Sequence, residues 1–523
     1  MAKAKTKQVF KQYSPNQNLL LPPNLEELID SHHLVRVING IVDSMDLTTI
    51  LNSYMGGGTS AYHPRMMIKI LLYAYAVKIY TGRRIAKALR QDITFMWLVA
   101  YNRPDFRTIN NFRSGVLKTT IEELFKQMLD FLLTKEYIKF EHYFCDGSTF
   151  EADANRHKMV WNKNAKRYQA ATEQKCRDLF KQIDQLNETE QSQYGNKDLE
   201  ESGTDKQAVT KEQIAMQASK LDQVIETAAS KRLKRKATTL KKKLSAHQDS
   251  IDKYERQQQI SGSRSGYSAT DEDATAMKMK NGEVLPGYNI LIGSEDQFIT
   301  GYSVHQKNND GACFKDHVQQ FKQHGGHEPT AIIADSIFGT QQNYEIMDDR
   351  EIAAYVKFPL YHKERSHKYV ENPFRKENFI YDAANDTYIC PNNKALRFRY
   401  VKTDRNKNGY ISFSRLYECE SCQGCPFAKD CKGTSNSNRT IKVNQSPEHY
   451  KQQARDNLKS ELGDELKRKR SIEVETCFGD IKKNQGFRRF HLRGKQKVKA
   501  EFGLIAIAHN LRKLHLKVFL SAA

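Results

Sequence analysis

The sequence predicts an α/β protein with a helical leading region, and three observations carry that prediction. Apolar residues recur at helical spacing through residues 14–135. Short apolar runs rich in β-branched and aromatic residues then stand at 139–146, 288–293, 297–304 and 329–335. Two of those runs end in an aspartate, Asp146 and Asp335, and a basic helical segment near 459–483 carries Glu475. Period 3.6 marks a helix and short β-rich runs mark strands.

Size and charge bound the rest. A chain of 523 residues buries a sizeable core and suggests about three domains. Lys+Arg 83 against Asp+Glu 62 leaves +21, with a pI near 9.3. Such a balance favours a polyanion as partner, nucleic acid first and an anionic membrane surface second. No apolar run reaches the roughly 18 residues of a spanning helix; Ile68–Tyr80 is broken by Lys69 and Lys78. Met1–Lys5 has charge but no apolar run behind it, so no secretory signal is read and a cytoplasmic protein is expected. Nine cysteines in a reducing compartment point to metal ligands or free thiols rather than disulfides.

In chain order, Pro22-Pro23 opens a helical N-terminal domain, 1–135, read as DNA-binding. Within it Thr81 caps a short basic helix with Arg83 and Arg84, and a second basic helix follows Pro104 with Arg107. The pair looks like a helix-turn-helix, weighed against an ordinary bundle with a solvated basic face. Residues 136–154 hold the first strand of the core, 139–146. The stretch 155–265 is polar, with sparse Leu221, Val224, Ile225, Ala228, Leu233, Leu240 and Leu244 at helical spacing, a helical hairpin or coiled-coil insertion. The core resumes over 266–358. Strands 288–293 and 297–304 form a hairpin across a Ser-Glu-Asp turn, a helix follows near 312–324, and then comes strand 329–335. With the insertion set aside, this is the element order of a ribonuclease-H-like core. A Cys-rich insertion spans 359–445, and 446–523 supplies C-terminal helices, one of which carries Glu475.

The acidic residues are the candidate site. Carboxylates at two strand ends plus one on a helix suit a two-metal phosphoryl-transfer site, because hard divalent cations take oxygen ligands. An aspartate after an apolar run is by itself more often a turn former. Glu473 and Glu475 lie about 200° apart on a helix, so one faces the site. Glu475 is chosen because Ile472 and Phe478 can pack on the sheet, Gly479 allows close approach and Lys482 follows. Glu473, near Lys469, Arg470 and Cys477, reads as a solvated face.

These segments resemble the DDE transposases of bacterial insertion sequences, in the broad group of the IS4 and IS5 families and most of all the IS1182-like type. The resemblance covers almost the whole chain. It rests on Phe144-Cys145-Asp146-Gly147-Ser148-Thr149, Gly287-Tyr288-Asn289-Ile290, Ile333-Ala334-Asp335-Ser336-Ile337-Phe338-Gly339 and Val474-Glu475-Thr476-Cys477-Phe478-Gly479-Asp480-Ile481-Lys482. Phe487-Arg488-Arg489-Phe490, Arg493-Gly494 and His509-Asn510-Leu511-Arg512-Lys513 add to it. It implies that Asp146, Asp335 and Glu475 bind two Mg²⁺ (or Mn²⁺) ions, that double-stranded DNA of element ends and target is the substrate, and that a homodimer pairs two ends. Lys482 fits the lysine that follows the glutamate in the related IS4 group. Ser471 and Arg468 stand where that group has arginine and tyrosine, with Arg470 one residue off, which puts a hairpin intermediate in doubt.

Two further clusters complete the inventory. Cys419, Cys422, Cys425 and Cys431 lie close together, with Cys390 upstream. The Cys422-x2-Cys425 spacing suits tetrahedral zinc, with unliganded thiols and an iron–sulfur centre as the other readings. The family pattern corresponds to Cys390, Cys422, Cys425 and Cys431 as ligands, leaving Cys419 spare. Downstream of Glu475, Lys482, Arg488, Arg489 and Arg493 are read as phosphate contacts. Phe487 and Phe490 among them either stack on a base or belong to the core. A nuclease of the same fold without strand transfer, or a DNA-binding protein that has lost catalysis, are the competing functions.

Overall fold

The computed structural model describes residues 24–52, 54, 61–194, 209–228, 230–324, 326, 328–406 and 408–520. Met1–Lys5 and Pro22-Pro23 lie outside them. The chain divides into two units, residues 1–116 with 510–523, and residues 117–509.

The first unit is helical, as expected. Helix Gly82–Gln91 begins at Thr81, whose side chain accepts the Arg84 N–H. Helix Phe106–Ser114 crosses it so closely that a Cβ on Gly82 would stand 2.5 Å from Asn110 Oδ1. The buried Arg113 guanidinium fixes this crossing by donating to Tyr75 Oη (2.8 Å) and to the Tyr80 carbonyl (2.7 Å). A simple helix-turn-helix is not what forms. A third helix, Ile93–Leu98, capped by Asp92, stands between the two basic ones.

The second unit is built on one mixed sheet. Its central strands are β1 (His142–Glu151), β2 (Val284–Glu295), β3 (Phe298–His305), β4 (Ala331–Ala334) and β5 (Ala353–Val356). Their order is β3-β2-β1-β4-β5, with β1 antiparallel to β2, β2 antiparallel to β3, and β1, β4 and β5 parallel. Every residue of β3 and β4, and of β2 from Leu285, is buried. Continuous apolar strands of this kind are covered on both faces. Strands Asp271–Lys278, Gly266–Ser268 and Met159–Trp161 extend the sheet beyond β2.

Several boundaries differ from the sequence reading. The first strand does not run 139–146 and stop at Asp146. It starts at His142 and continues to Glu151, because its antiparallel partner β2 supplies hydrogen bonds as far as Glu151↔Gly287. The hairpin turn is Asp296-Gln297, both at positive φ, so Glu295 belongs to β2. Paired positive φ values give the turn twist that matches two right-handed strands. The insertion holds three helices, Asn162–Tyr194, Lys211–Thr227 and Lys231–Ser261, among the described residues. Their shared core contains Leu221, Val224, Leu240 and Leu244, the positions the spacing singled out. The Cys-rich insertion is a five-stranded antiparallel sheet.

Two contacts fix the height of β1. The Tyr143 ring lies on Gly293 and Gly301; a Cβ at Gly293 would fall 1.7 Å from Tyr143 Cζ. Its hydroxyl joins a buried chain, Tyr143 Oη to His317 Nε2 (2.8 Å), His317 Nδ1 to Ser303 Oγ (2.6 Å) and Ser303 Oγ to His305 Nε2 (2.6 Å). At the head of the strand the Glu295 carboxylate accepts four backbone N–H groups, from Lys139, Phe140, Glu141 and His142, at 2.7–3.2 Å. Removing the carboxylate takes away the acceptor that these four donors share. Glu295→Ala is therefore expected to lower unfolding stability by at least about 3 kcal/mol, and Glu295→Gln, which keeps an acceptor, by less. Urea denaturation of both variants checks this.

Candidate active site

Parallel pairing of β1 with β4 runs from His142↔Ala331 to Cys145↔Ala334. The next position on each strand is Asp146 and Asp335, so the two aspartates are register neighbours on strands about 4.8 Å apart. Asp335 leaves the sheet there and caps a short 3₁₀ turn, its Oδ1 accepting the Ser336 N–H at 2.7 Å. Asp146 stays in mid-strand and is half-buried. Its pKa is pushed up to about 6, first by burial, then by the charges of Asp310 and Asp335; the Gly147 N–H and Arg470 oppose the rise.

Asp310 is a carboxylate the sequence reading missed. It opens a 3₁₀ turn, Asp310–Ala312, after β3, and Asn289 on β2 donates to it. It lies so close over Gly147 that a Cβ there would stand 2.5 Å from its Cγ. Burial holds its pKa above the ordinary carboxylate range. The available signal was an Asp directly after Asn308-Asn309 at a strand end, which a single sequence does not separate from any turn.

The third carboxylate comes from helix Glu461–Gly479, started by Ser460, whose Oγ accepts the Gly463 N–H at 3.0 Å. Glu475 is exposed and pairs with Arg470 at 3.7 Å. Arg470 also acts on Asp146, so one guanidinium charge reaches both. Glu473 is the correction on this helix. It is buried, not solvated, and accepts the Gln297 N–H at 2.6 Å. Cys477, one turn on, contacts the Gln297 carbonyl at 3.3 Å. That face of the helix therefore sits on the β2–β3 turn and leaves Glu475 on another flank. Ile472, expected to pack, is 58% exposed, and Gly479 has open space around it; Phe478 is buried as expected.

After Gly479 the helix passes into a π-type turn, Asp480–Asn484. It turns the Lys482 ammonium inward, donating to Ser148 Oγ and the Thr149 carbonyl at 2.6 Å each and standing 4.1 Å from the Phe150 ring centroid. Burial first, then the charges of Lys280 and Arg488, lower its pKa to about 7. Ser148 shares a strand face with Asp146, so this cation borders the acidic pair and is not free on the surface for phosphate. Arg489 and Arg493 both pair with Asp153, at 3.1 and 2.8 Å, and Arg488 donates to the Lys482 carbonyl at 3.2 Å; all three remain exposed. Phe487 and Phe490 are 1% exposed and pack around Phe150, which excludes base stacking by either.

Elsewhere, Arg83 and Arg107 of the helical unit both lie over the Phe106 ring, at 5.1 and 5.7 Å, and Arg84 is exposed beside them. Cys390, Cys419, Cys422, Cys425 and Cys431 line one cavity of about 20 Å³, room for a single ion or water. Cys145, Cys176, Cys313 and Cys477 are buried packing residues. Among the described residues, no three His, Cys, Asp or Glu side chains stand in a geometry that could hold a metal ion. No helix among them is long and apolar enough to cross a membrane.

The class is an α/β protein whose central sheet sets two carboxylates on neighbouring parallel strands, with a third exposed on a helix packed against them. The particular kinship comes from two family models. A Transposase DDE domain matches residues 389–515, and a Transposase domain (DUF772) matches residues 23–115. Together they support a DDE transposase of an insertion sequence, a metal-dependent DNA-cleaving class. No curated protein and no solved structure matches the chain.

The raised pKa of Asp146 has a sign that can be tested. A carboxylate whose folded pKa lies above its unfolded value destabilises the fold when ionised. The penalty is full above about pH 6 and vanishes below about pH 4. Asp146→Asn is expected to stabilise the EDTA-treated protein by about 2–3 kcal/mol at pH 8, with the gain gone at pH 4. Denaturation curves at the two pH values measure it.

Proposed function

We propose that the chain is a DDE transposase that binds insertion-sequence ends and catalyses metal-dependent DNA strand cleavage and strand transfer, working as a homodimer because two ends must be paired. The observation that carries this reading is the register Cys145↔Ala334, which sets Asp146 beside Asp335 under the helix bearing Glu475. The order β3-β2-β1-β4-β5, three antiparallel strands followed by two parallel ones, supports a ribonuclease-H-like core.

Asp146, Asp335 and Glu475 are assigned as the ligands of Mg²⁺ or Mn²⁺. The donor set fits in kind: all three offer hard oxygen, and Asp146 already carries excess negative surroundings from Asp310. When bound, such ions supply Lewis-acid activation of water and charge neutralisation at phosphate. Glu475 must exchange its contact with Arg470 to join the aspartates, which frees Arg470 for a phosphate oxygen. Lys482 braces β1 beside Asp146. Arg488, Arg489 and Arg493 keep exposed N–H groups for the DNA backbone, as do Arg83, Arg84 and Arg107 on the helical unit.

The cysteine cavity is assigned to structural zinc held by Cys390, Cys422, Cys425 and Cys431. Cys422 Sγ accepts the Arg439 N–H at 3.2 Å and Cys425 Sγ accepts from Asn392 at 3.6 Å, as thiolates do. Cys419 instead donates to the Ser421 carbonyl at 3.7 Å, and burial pushes its pKa up to about 12, which suits the spare thiol. Metal analysis is expected to find one zinc per chain, lost in Cys422→Ser; a wild-type content well below one removes the assignment.

Cleavage of the gene's own flanking DNA tests the main reading. Wild type with Mg²⁺ or Mn²⁺ is expected to nick and join DNA. Asp335→Asn should bind it equally and cleave it more slowly by roughly 10³ or more, about 4 kcal/mol in the barrier. Nicking without joining would mark a nuclease instead, and binding without nicking by either protein a DNA-binding protein alone.

A further inference from the structure

The helical insertion ends in a face of one charge that the acidic site does not use. Helix Lys231–Ser261 carries eight Lys or Arg residues between Lys231 and Lys243, and no acid occurs before Asp249. Its apolar side, Ala237, Leu240, Leu244 and Ile251, is buried against the other two helices. That leaves the opposite side to solvent. Lys231, Arg232, Arg235, Lys236, Lys242 and Lys243 are all exposed and form no ion pair among the described residues. At 100° per residue they occupy one broad face. Lys241 is the exception, paired with Asp222.

A merely solvated helix face interleaves its charges, as the second half of this same helix does with Asp249, Asp252, Lys253, Glu255 and Arg256. The first half instead concentrates like charges that repel one another, and a neighbouring helix adds to them. His247, part-buried, is held less basic by burial and then by Lys175 of helix Asn162–Tyr194 together with Lys243. The self-repulsion is relieved by a polyanion of matching pitch. Lys231 to Lys243 spans about 18 Å, the length of about five phosphates along one strand at 3.4 Å each. The face lies about 27–45 Å along the helix from its root at Ser261.

We infer that this insertion is a second DNA-binding element, a sequence-independent arm that grips the phosphate backbone of duplex DNA away from the point of cleavage. The inference rests on the reading of the chain as acting on DNA. It assigns the arm a share of affinity and none of the chemistry.

Binding of the full chain to a duplex of random sequence, followed over a salt series, tests it. The variant combines Arg232→Gln, Arg235→Gln, Lys236→Gln, Lys242→Gln and Lys243→Gln, glutamine keeping helix propensity; circular dichroism confirms the fold. Each lost phosphate contact removes about 0.9 from the slope of log K against log salt. The variant's slope is expected to be shallower by about 3–4. An unchanged slope in the folded variant, with wild type binding normally, overturns the arm and leaves the transposase reading intact. Wild type that binds no duplex overturns both. Loss of binding to anionic phospholipid vesicles with the duplex slope unchanged would give the face to a membrane surface and overturn the inference.

Discussion

Strand β1 is hydrogen-bonded along both edges, antiparallel to β2 on one side and parallel to β4 on the other. The rest of the site depends on that double pairing. A slip of one residue in a strand turns every side chain to the opposite face. Such a slip would carry Asp146 away from Asp335 and bring Cys145 or Gly147 to its place. The protein prevents it with contacts that tolerate no shift. Tyr143 is seated on two glycines of the hairpin and anchored through His317, and Glu295 clasps the four backbone N–H groups that lead into the strand. The buried polar chain beneath β1 is thus register control for a carboxylate three residues away.

The same sheet gathers more negative charge than a stable core would choose. Asp146 and Asp310 are both held above their ordinary range by burial, and Asp335 adds its charge alongside. The balancing cations do not pair with these carboxylates directly. Arg470 contacts Glu475, and Lys482 is spent on Ser148 and Thr149. Groups whose environments push their protonation away from the ordinary range are where function concentrates. A fold selected for stability alone would have paired or replaced them, which is why these acids carry the proposal of a cation site.

Much of this was legible in the sequence, and the failures share a cause. That Asp146 and Asp335 stand on or beside neighbouring strands and Glu475 on a helix was readable, because local spacing carries that information. The apolar seam of the insertion was readable for the same reason. The end of β1 was not, because the residues after Asp146 stay in the strand only through bonds to β2, more than a hundred residues later. Glu473 looked solvated from its neighbours on the helix, whereas its partner is the Gln297 N–H at the tip of a distant hairpin. Asp310 was invisible for the same reason: its meaning comes from Gly147 and Asn289, on two other strands. Lys482 looked available to DNA and is withdrawn by Ser148, Thr149 and the Phe150 ring, whereas Phe487 and Phe490 take the core reading that the sequence had set beside base stacking.

Withdrawing those residues changes where binding energy has to come from. The cations of this segment are committed: Arg470 to Glu475, Lys482 to β1, and Arg489 and Arg493 in part to Asp153. A strongly basic surface close to the acids would in any case pair with them and compete with metal. Long-range attraction of a polyanion does not need that proximity, because unpaired surface charge acts over about 10 Å at ordinary salt and sums over many groups. Placing the unpaired Lys and Arg on an outlying helix, and the unpaired carboxylates in the sheet, keeps the two populations from neutralising each other. The insertion after β1 achieves that separation while remaining rooted in the same sheet, through strand Met159–Trp161 and its partner Gly266–Ser268.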